Sequence, residues 1–305
     1  MKHIRSDLFH FREPRFGTYF MDDPPFMAYS IGRPLLESLA KKPFFGYVSG
    51  IYKHSCNIMG ADGRIITLAL PSIGKGPFSI VVEGKNLLTS ITTKMCVRSD
   101  HHGLAVNNMQ FIHLNSVDCW EPRLFQFPRS FHIKTSIAEL LKDYTQWLEE
   151  PNGVYSDEIV KNQLVMGAKA LQHALSNGHS TKKIVTYLAG LGFGLTPSGD
   201  DYLLGVMASL WLTRNTSFLD EIAQTANRKT TSLSANLLKA ASKGEFSESW
   251  HQLAKGIFSQ DTKTAQHAVF NFSQIGAFSG RDALAGFTTH LLGSRFSSKN
   301  RAGSK

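Results

Sequence analysis

Gly190-Leu191-Gly192-Phe193-Gly194-Leu195-Thr196-Pro197-Ser198-Gly199-Asp200-Asp201-Tyr202-Leu203-Leu204-Gly205 marks a helix start from which the rest of the chain can be read. Three alternating glycines permit positive φ and close backbone approach. Pro197 biases Thr196 away from helical geometry, so a boundary belongs there. Ser198 then reads as an N-cap, and Asp201, three residues on, completes a capping box. Both acids suit the positive end of the helix. A loop, a cap and a helix are thereby explained, but one carboxylate is left over. Successive helical residues do not face the same way, so Asp200 and Asp201 cannot both serve the cap. The other is available to a ligand, a metal or a partner chain.

The pattern recurs. Ser279-Gly280-Arg281-Asp282-Ala283-Leu284-Ala285-Gly286 repeats Ser-Gly-x-Asp-x-Leu-x-Gly from Ser198–Gly205. Two such starts suggest quasi-equivalent helices whose N-termini converge, with Gly205 and Gly286 allowing close packing. Arg281 stands where the first copy has Asp200. If the two starts face each other, that pair is either a structural ion pair of little energetic weight or one wall of an anion site.

Working outward, the front of the chain reads as strands and turns. Phe44–Tyr52 is aromatic and β-branched, Asp62-Gly63 is a hairpin signal, and Ile65–Leu70 is a buried strand stopped by Pro71. Phe78–Val82, Leu87–Thr92 and Gln110–Leu114 add further strands. Beyond Ser130 the period becomes helical. One helix runs over Ile133–Leu148 to Pro151-Asn152-Gly153, and another from a Ser156 cap to Asn177-Gly178. Thr181–Leu191, Ser198–Leu212, Phe218–Ser242, Phe246–Phe258, Thr262–Gln274 and Ser279–Leu292 follow. The expected fold class is therefore α+β. A mainly antiparallel β unit (1–130) precedes an all-helical domain (131–296) and a disordered tail (297–305).

The chain has 305 residues, 42% hydrophobic and 19% charged, as in an ordinary globular protein with room for a core. No apolar run reaches the roughly 20 residues needed to span a bilayer, and the N-terminus lacks the apolar stretch of a signal peptide. Cys56, Cys96 and Cys119 form no CxxC pair, which fits a reducing cytoplasm. The net charge of +9 is spread along the chain, without the basic helix or aromatic-basic repeat of a nucleic-acid binder. It suits attraction of a small anionic substrate.

Neighbouring motif classes do not fit. A dinucleotide fingerprint follows a strand within a βαβ unit, and a phosphate loop ends in Gly-Lys-Ser or Gly-Lys-Thr, whereas this one ends in two acids. No cofactor is expected; magnesium is the one ion a metal-phosphate reading would require. Lys75, in Gly74-Lys75-Gly76-Pro77, is placed to offer an ammonium to an anion or to sit in a solvated turn. Asn57 either caps a turn or orients a carbonyl. His101-His102 lack a third ligand at metal-binding spacing. Cys56 and Cys96 read as core thiols. Ser198 lacks the nucleophile elbow and reads as a cap and ligand binder.

Gly192-x-Gly194-Leu195-Thr196-Pro197-Ser198-Gly199-Asp200-Asp201-x-Leu203-x-Gly205 resembles the signature of a bacterial family that was long of unknown function. That family includes the smallest subunit of oxamate carbamoyltransferase, from anaerobic allantoin degradation. The resemblance extends to Thr231-x-x-Ser234-x-x-Leu237-Leu238-x-x-Ala241-x-x-Gly244 and to Ser279-Gly280. In the front half it touches Val48-Ser49, Asn57, Asp62-Gly63 and Gly74-x-Gly76-Pro77. Phe193 and Phe278 depart from it, the latter where the family often has Thr. The resemblance implies transfer of a carbamoyl group between phosphate and the nitrogen of oxamate, forming oxalurate, by a complex of different subunits. This chain would be either catalytic or a scaffold within that complex; self-association is compatible with both.

The candidate catalytic residues are Asp200 and Asp201. Candidate substrate-binding residues are Asn57, Lys75, Gly192, Gly194, Thr196, Ser198, Gly199, Ser234, Ser279, Arg281 and Asp282. Unpaired amides at the helix start would meet a carboxylate or phosphate, and the adjacent aspartate would accept hydrogen bonds from an amide NH₂. The expected site lies where the β unit meets the helices.

Overall fold

The computed structural model describes residues 26–83, 85–100, 102–107, 110–114, 116–146 and 158–302. Strand β1 (Phe26–Gly32) leads into helix α1 (Arg33–Lys41), followed by β2 (Phe45–Ile51), β3 (Ser55–Gly60), β4 (Ile65–Ala69) and β5 (Ser79–Val82). Helix α2 (Lys85–Ser90) precedes β6 (Cys96–Ser99), β7 (Gly103–Val106), β8 (Gln110–His113) and β9 (Asp118–Trp120).

The strands are hydrogen-bonded in the order β5-β4-β3-β2-β6-β7-β8-β1, and β1 pairs back onto β5. Eight strands thus close into a barrel. The joints β4–β5 and β8–β1 are parallel, and β9 lies parallel to β1 beyond the end of β8. This corrects the expected fold class: the front is a closed barrel of mixed pairing, not simply a mainly antiparallel unit. Alternating apolar residues reveal that a strand exists, not which edge it joins, and β1 meets β5 and β8 from far along the chain. Ile31, Ile58, Leu68, Ile80, Leu104 and Ile112 are fully buried and fill the interior, so the barrel is a packed core.

Two helices interrupt what reads as an all-strand segment. α1 begins just after Gly32, with Pro34 in its first turn where a missing N–H costs nothing, and buries Leu35. α2 replaces the strand expected at Leu87–Thr92. Its Leu87 and Leu88 join the barrel core, and so short an apolar run has no period that separates strand from helix.

The second half contains α3 (Thr135–Gln146), α4 (Glu158–Asn177), α5 (Lys182–Leu188) and α6 (Ser198–Leu212). After a 3-10 turn (Thr216–Phe218) come α7 (Leu219–Ala226), α8 (Ser232–Ser242), α9 (Glu248–Phe258), α10 (Thr262–Ser273) and α11 (Ser279–Ala302). The single helix expected over Phe218–Ser242 is two, because the Thr231 hydroxyl accepts the Ser234 amide at 3.1 Å and starts α8 afresh. α11 carries helical backbone into the expected disordered tail. The Ser156 cap and Pro151-Asn152-Gly153 lie outside the described residues.

α6 is buried along nearly its whole length and forms the axis of the helical core. It packs against α11 backbone to backbone. A β-carbon at Gly205 would run into the Ala283 carbonyl oxygen, and one at Gly286 into that of Tyr202. Tyr202 and Ala283 occupy the same place in the repeated pattern, as do Gly205 and Gly286. The two contacts therefore exchange with each other, and the helices cross about an approximate two-fold axis. Alanine in place of a helical glycine gains about 1 kcal/mol in propensity, but overpacking costs about 1–3 kcal/mol and more against rigid backbone. Gly205→Ala and Gly286→Ala should each lower the melting temperature measured by circular dichroism. Unchanged melting would show that the helices can separate at no cost.

Candidate functional site

Gly190, Gly192 and Gly194 all adopt positive φ, at 75°, 106° and 94°. Gly199 N donates to Leu191 O at 2.9 Å, and Asp200 N and Asp201 N both donate to Pro197 O at 2.9 and 3.1 Å. The loop before α11 is built alike. Gly276 has φ 62°, Gly280 N donates to Ile275 O at 2.9 Å, and Arg281 N and Asp282 N donate to Phe278 O at 2.9 and 3.0 Å. The two starts are structural counterparts joined by loops of different length.

These bonds change two expectations. Ser198 is the first helical residue and Pro197 the cap position, with no side-chain cap bond, so the capping box does not form. The amides of Gly199, Asp200 and Asp201 are already bonded within the loop, so this helix start offers no open row of donors to an anion.

The two aspartates part company. Asp200 Oδ1 accepts from Gly190 N at 3.0 Å, and Oδ2 accepts from the Thr230 hydroxyl. It ties the glycine loop to the turn before α8. Burial raises its pKa, against hydrogen bonds from Thr230, Gly190 and Ser234. Asp201 faces the other way, is 5% exposed, and its Oδ2 has no hydrogen-bond partner. Burial pushes its pKa well above the usual carboxylate range; the nearby charges of Asp282 and Asp200 add to this, while the hydroxyls of Ser279 and Thr196 oppose it. Asp282, its counterpart on α11, is fully buried.

Asp201 lines a cavity of about 270 Å³ between α6, α8, α9 and the α10–α11 turn, with Pro77 of the barrel side at its wall. Thr196 and Ser279 stand beside it, with their hydroxyl oxygens 3.0 Å apart. Across the cavity are Glu245 and Ser247, and Trp250 and Phe272 supply apolar wall. Burial raises the Glu245 pKa, against the charges of Lys243 and Arg123, with Glu121 and Glu37 adding to the rise. Among the described residues no Lys or Arg lines the cavity. Among the described residues no group of three or more His, Cys, Asp or Glu is arranged to hold a metal ion.

The structure brings together Thr196, Asp201 and Ser279, with Asp282 behind them. Ser234 lies on α8 and donates to Leu195 O at 3.4 Å, so it braces the loop. Gly192 packs over Ser198, Gly199 is pressed against the Leu188 carbonyl, and Gly194 is exposed. Arg281 is half-buried, and its guanidinium has no hydrogen bond or ion pair among the described residues. Lys75 is held by Asp118 at 3.0 Å and by the Tyr29 ring, while its backbone bonds Glu248 and fastens the barrel to α9. Asn57 lies in the barrel wall and accepts from the Thr67 hydroxyl at 2.9 Å. Cys56 is a buried thiol pushed up to about 12 by burial, whereas Cys96 is exposed rather than a core residue. His101 lies outside the described residues. Glu245 and Trp250 have no motif of their own in the sequence; the one hint is that Gly244 ends a helix just before them.

Asp201 makes stability depend on pH in a defined direction. Its folded pKa lies above the unfolded value of 3.8, so the native state keeps the proton to higher pH. Its contribution is fully present below about pH 4 and is lost as pH rises through the folded value. Asp201→Asn removes that loss. The variant should be more stable than the parent by about 1–3 kcal/mol at about pH 8, with the gain vanishing near pH 4. Urea unfolding at the two pH values checks this; a gain of equal size at both would mean that Asp201 does not titrate on folding.

The family model described as "Oxamate carbamoyltransferase subunit AllH" matches residues 188–291, which contain both helix starts and most of the cavity wall. The model described as "AllH family N-terminal domain" matches residues 27–119, which contain the barrel. No solved structure matches the chain. Together the two matches cover most of the sequence, and the chain belongs to the AllH family of oxamate carbamoyltransferase subunits.

Proposed function

We propose that this chain works inside a carbamoyltransferase complex and that the cavity beside Asp201 holds the small amide-bearing substrate. The observation that carries this reading is a deeply buried carboxyl group, one oxygen of it without a hydrogen-bond partner, in the wall of a half-open cavity between two helix starts. A cavity of about 270 Å³ falls just below the range of about 300–1,000 Å³ typical of ligand sites. It suits a small molecule such as oxamate or a carbamoyl group. Both have a carbonyl oxygen and an NH₂ side by side, and the hydroxyls of Thr196 and Ser279 can donate or accept. In this reading Asp201 contacts substrate while Asp200 positions the loop that carries Thr196.

The transfer itself is attack of the oxamate nitrogen on the carbamoyl carbon, with phosphate leaving. A leaving phosphate needs cations, and none lines the cavity among the described residues. Other subunits would supply them, so the activity belongs to the complex and this chain alone is inactive. No helix of the described residues is long and apolar enough to cross a membrane, and a cytoplasmic location is proposed with the reaction. A second reading, an assembly subunit, draws on Phe193 and Leu195, which are 78% and 43% exposed on the glycine loop. Apolar side chains so displayed suit contact with another chain.

Carbamoyl transfer from carbamoyl phosphate to oxamate should appear only when the chain is mixed with its partner subunits. Thr196→Val and Ser279→Ala should each weaken oxamate binding to that mixture by about 2- to 10-fold, as loss of one hydrogen bond does. Full affinity and rate in both variants, with assembly lost in Phe193→Ser, would favour the assembly reading instead.

A further inference from the structure

We infer that Asp201 is the hydrogen-bond donor of the cavity: a neutral carboxylic acid, backed by the buried carboxyl of Asp282, whose O–H is offered to an oxygen of the bound amide or carboxylate. This rests on the reading of the cavity as the substrate site. It reverses the acceptor role expected of an aspartate at a helix start.

Three observations carry it. Asp201 and Asp282 come from counterpart positions on the two crossing helices and are 5% and 0% exposed. Two carboxyl groups so deeply buried, the charge of one bearing on the other, do not both ionise, and one retains its proton. Next, Asp201 Oδ2 has no hydrogen-bond partner. An ionised oxygen in that position is the costlier state, whereas a protonated one becomes satisfied when a ligand oxygen arrives. Last, the charged groups that bear on it most, among the described residues, have the wrong sign to ionise it. Asp282 faces it from α11 and Asp200 lies on its own helix, while Glu245 shares the cavity from the turn before α9. Lys243 and Arg123 act on Glu245, not on Asp201. The hydroxyls of Ser279 and Thr196 favour the anion, and burial outweighs them.

The consequence is selectivity. A neutral acid offers O–H and C=O together, the complement of an amide's C=O and N–H, so the two can pair through two hydrogen bonds. A dicarboxylate of the same size brings an extra charge and no N–H. Oxamate should therefore bind well and oxalate poorly in a cavity without a cation. Asp282 does not touch the ligand; it is a positioning residue that acts by keeping the Asp201 proton in place.

Two measurements on the full chain, alone and in the assembled enzyme, test this. The first is oxamate affinity against pH by calorimetry, over a range in which oxamate keeps one charge. Parent affinity should fall as pH rises through the Asp201 transition, approaching tenfold per pH unit, as for one linked proton. Asp201→Asn keeps a neutral donor and should bind with no such fall, Asp201→Ala should bind weakly throughout, and Asp282→Asn should move the fall to lower pH. The second needs no ligand: the infrared carbonyl stretch of a protonated carboxylic acid at neutral pH, reduced in Asp201→Asn. Binding with no pH dependence, or a band lost in Asp282→Asn but kept in Asp201→Asn, overturns the inference and leaves the cavity's assignment standing. A band that behaves as expected with no oxamate bound to the assembled enzyme overturns the cavity's assignment, and the donor role with it.

Discussion

Everything at the candidate site depends on how closely α6 and α11 approach. Gly205 lies on the backbone of α11 and Gly286 on that of α6, with no side chain between them. At that distance the first turns of the two helices share one patch of space. Residues far apart in sequence then become neighbours: Thr196 bonds Ser279, and the charge of Asp282 bears on Asp201. A methyl group at either glycine would pry open the contact that assembles the cavity. Interiors are packed to near-crystal density, so such a wedge cannot be absorbed locally.

The same approach sets the electrostatics. Helix starts carry positive partial charge and welcome carboxylates in their first turn. Each copy of the repeat has such an acid, and alone each would be an ordinary surface aspartate. Crossing the helices back to back at this point buries both, and burial works against ionisation of Asp201, with the like charge of Asp282 adding to it. Asp200, one residue away, is buried as well and its pKa is raised too, but it has partners of its own in Gly190 and Thr230. One aspartate therefore braces the loop while its neighbour faces the cavity.

The barrel contributes little to the cavity lining, but it closes and steadies that side. Pro77 reaches the cavity wall, and the neighbouring Lys75 is fixed to Glu248 at the start of α9 through both its amide and its carbonyl. Lys75 thus works through its backbone as a fastener between the two halves of the chain, while its ammonium pairs with Asp118.

Much of this was legible in the residues themselves. The positive-φ loop follows from Gly190, Gly192 and Gly194, the start of α6 from Pro197, and the pairing of α6 with α11 from the repeated Ser-Gly-x-Asp-x-Leu-x-Gly. These are local backbone requirements, and sequence encodes them directly. The mixed, closed barrel was not legible, because β1 finds β5 and β8 across long loops and no local pattern names a strand's partner. Neither was α2, whose few apolar residues carry no period. The unlike roles of Asp200 and Asp201, the satisfied amides at the helix start and the place of Glu245 were decided by tertiary structure alone. Each depends on which groups from other elements arrive beside them, and burial, hydrogen-bond satisfaction and like-charge proximity are properties of that assembly, not of any one segment.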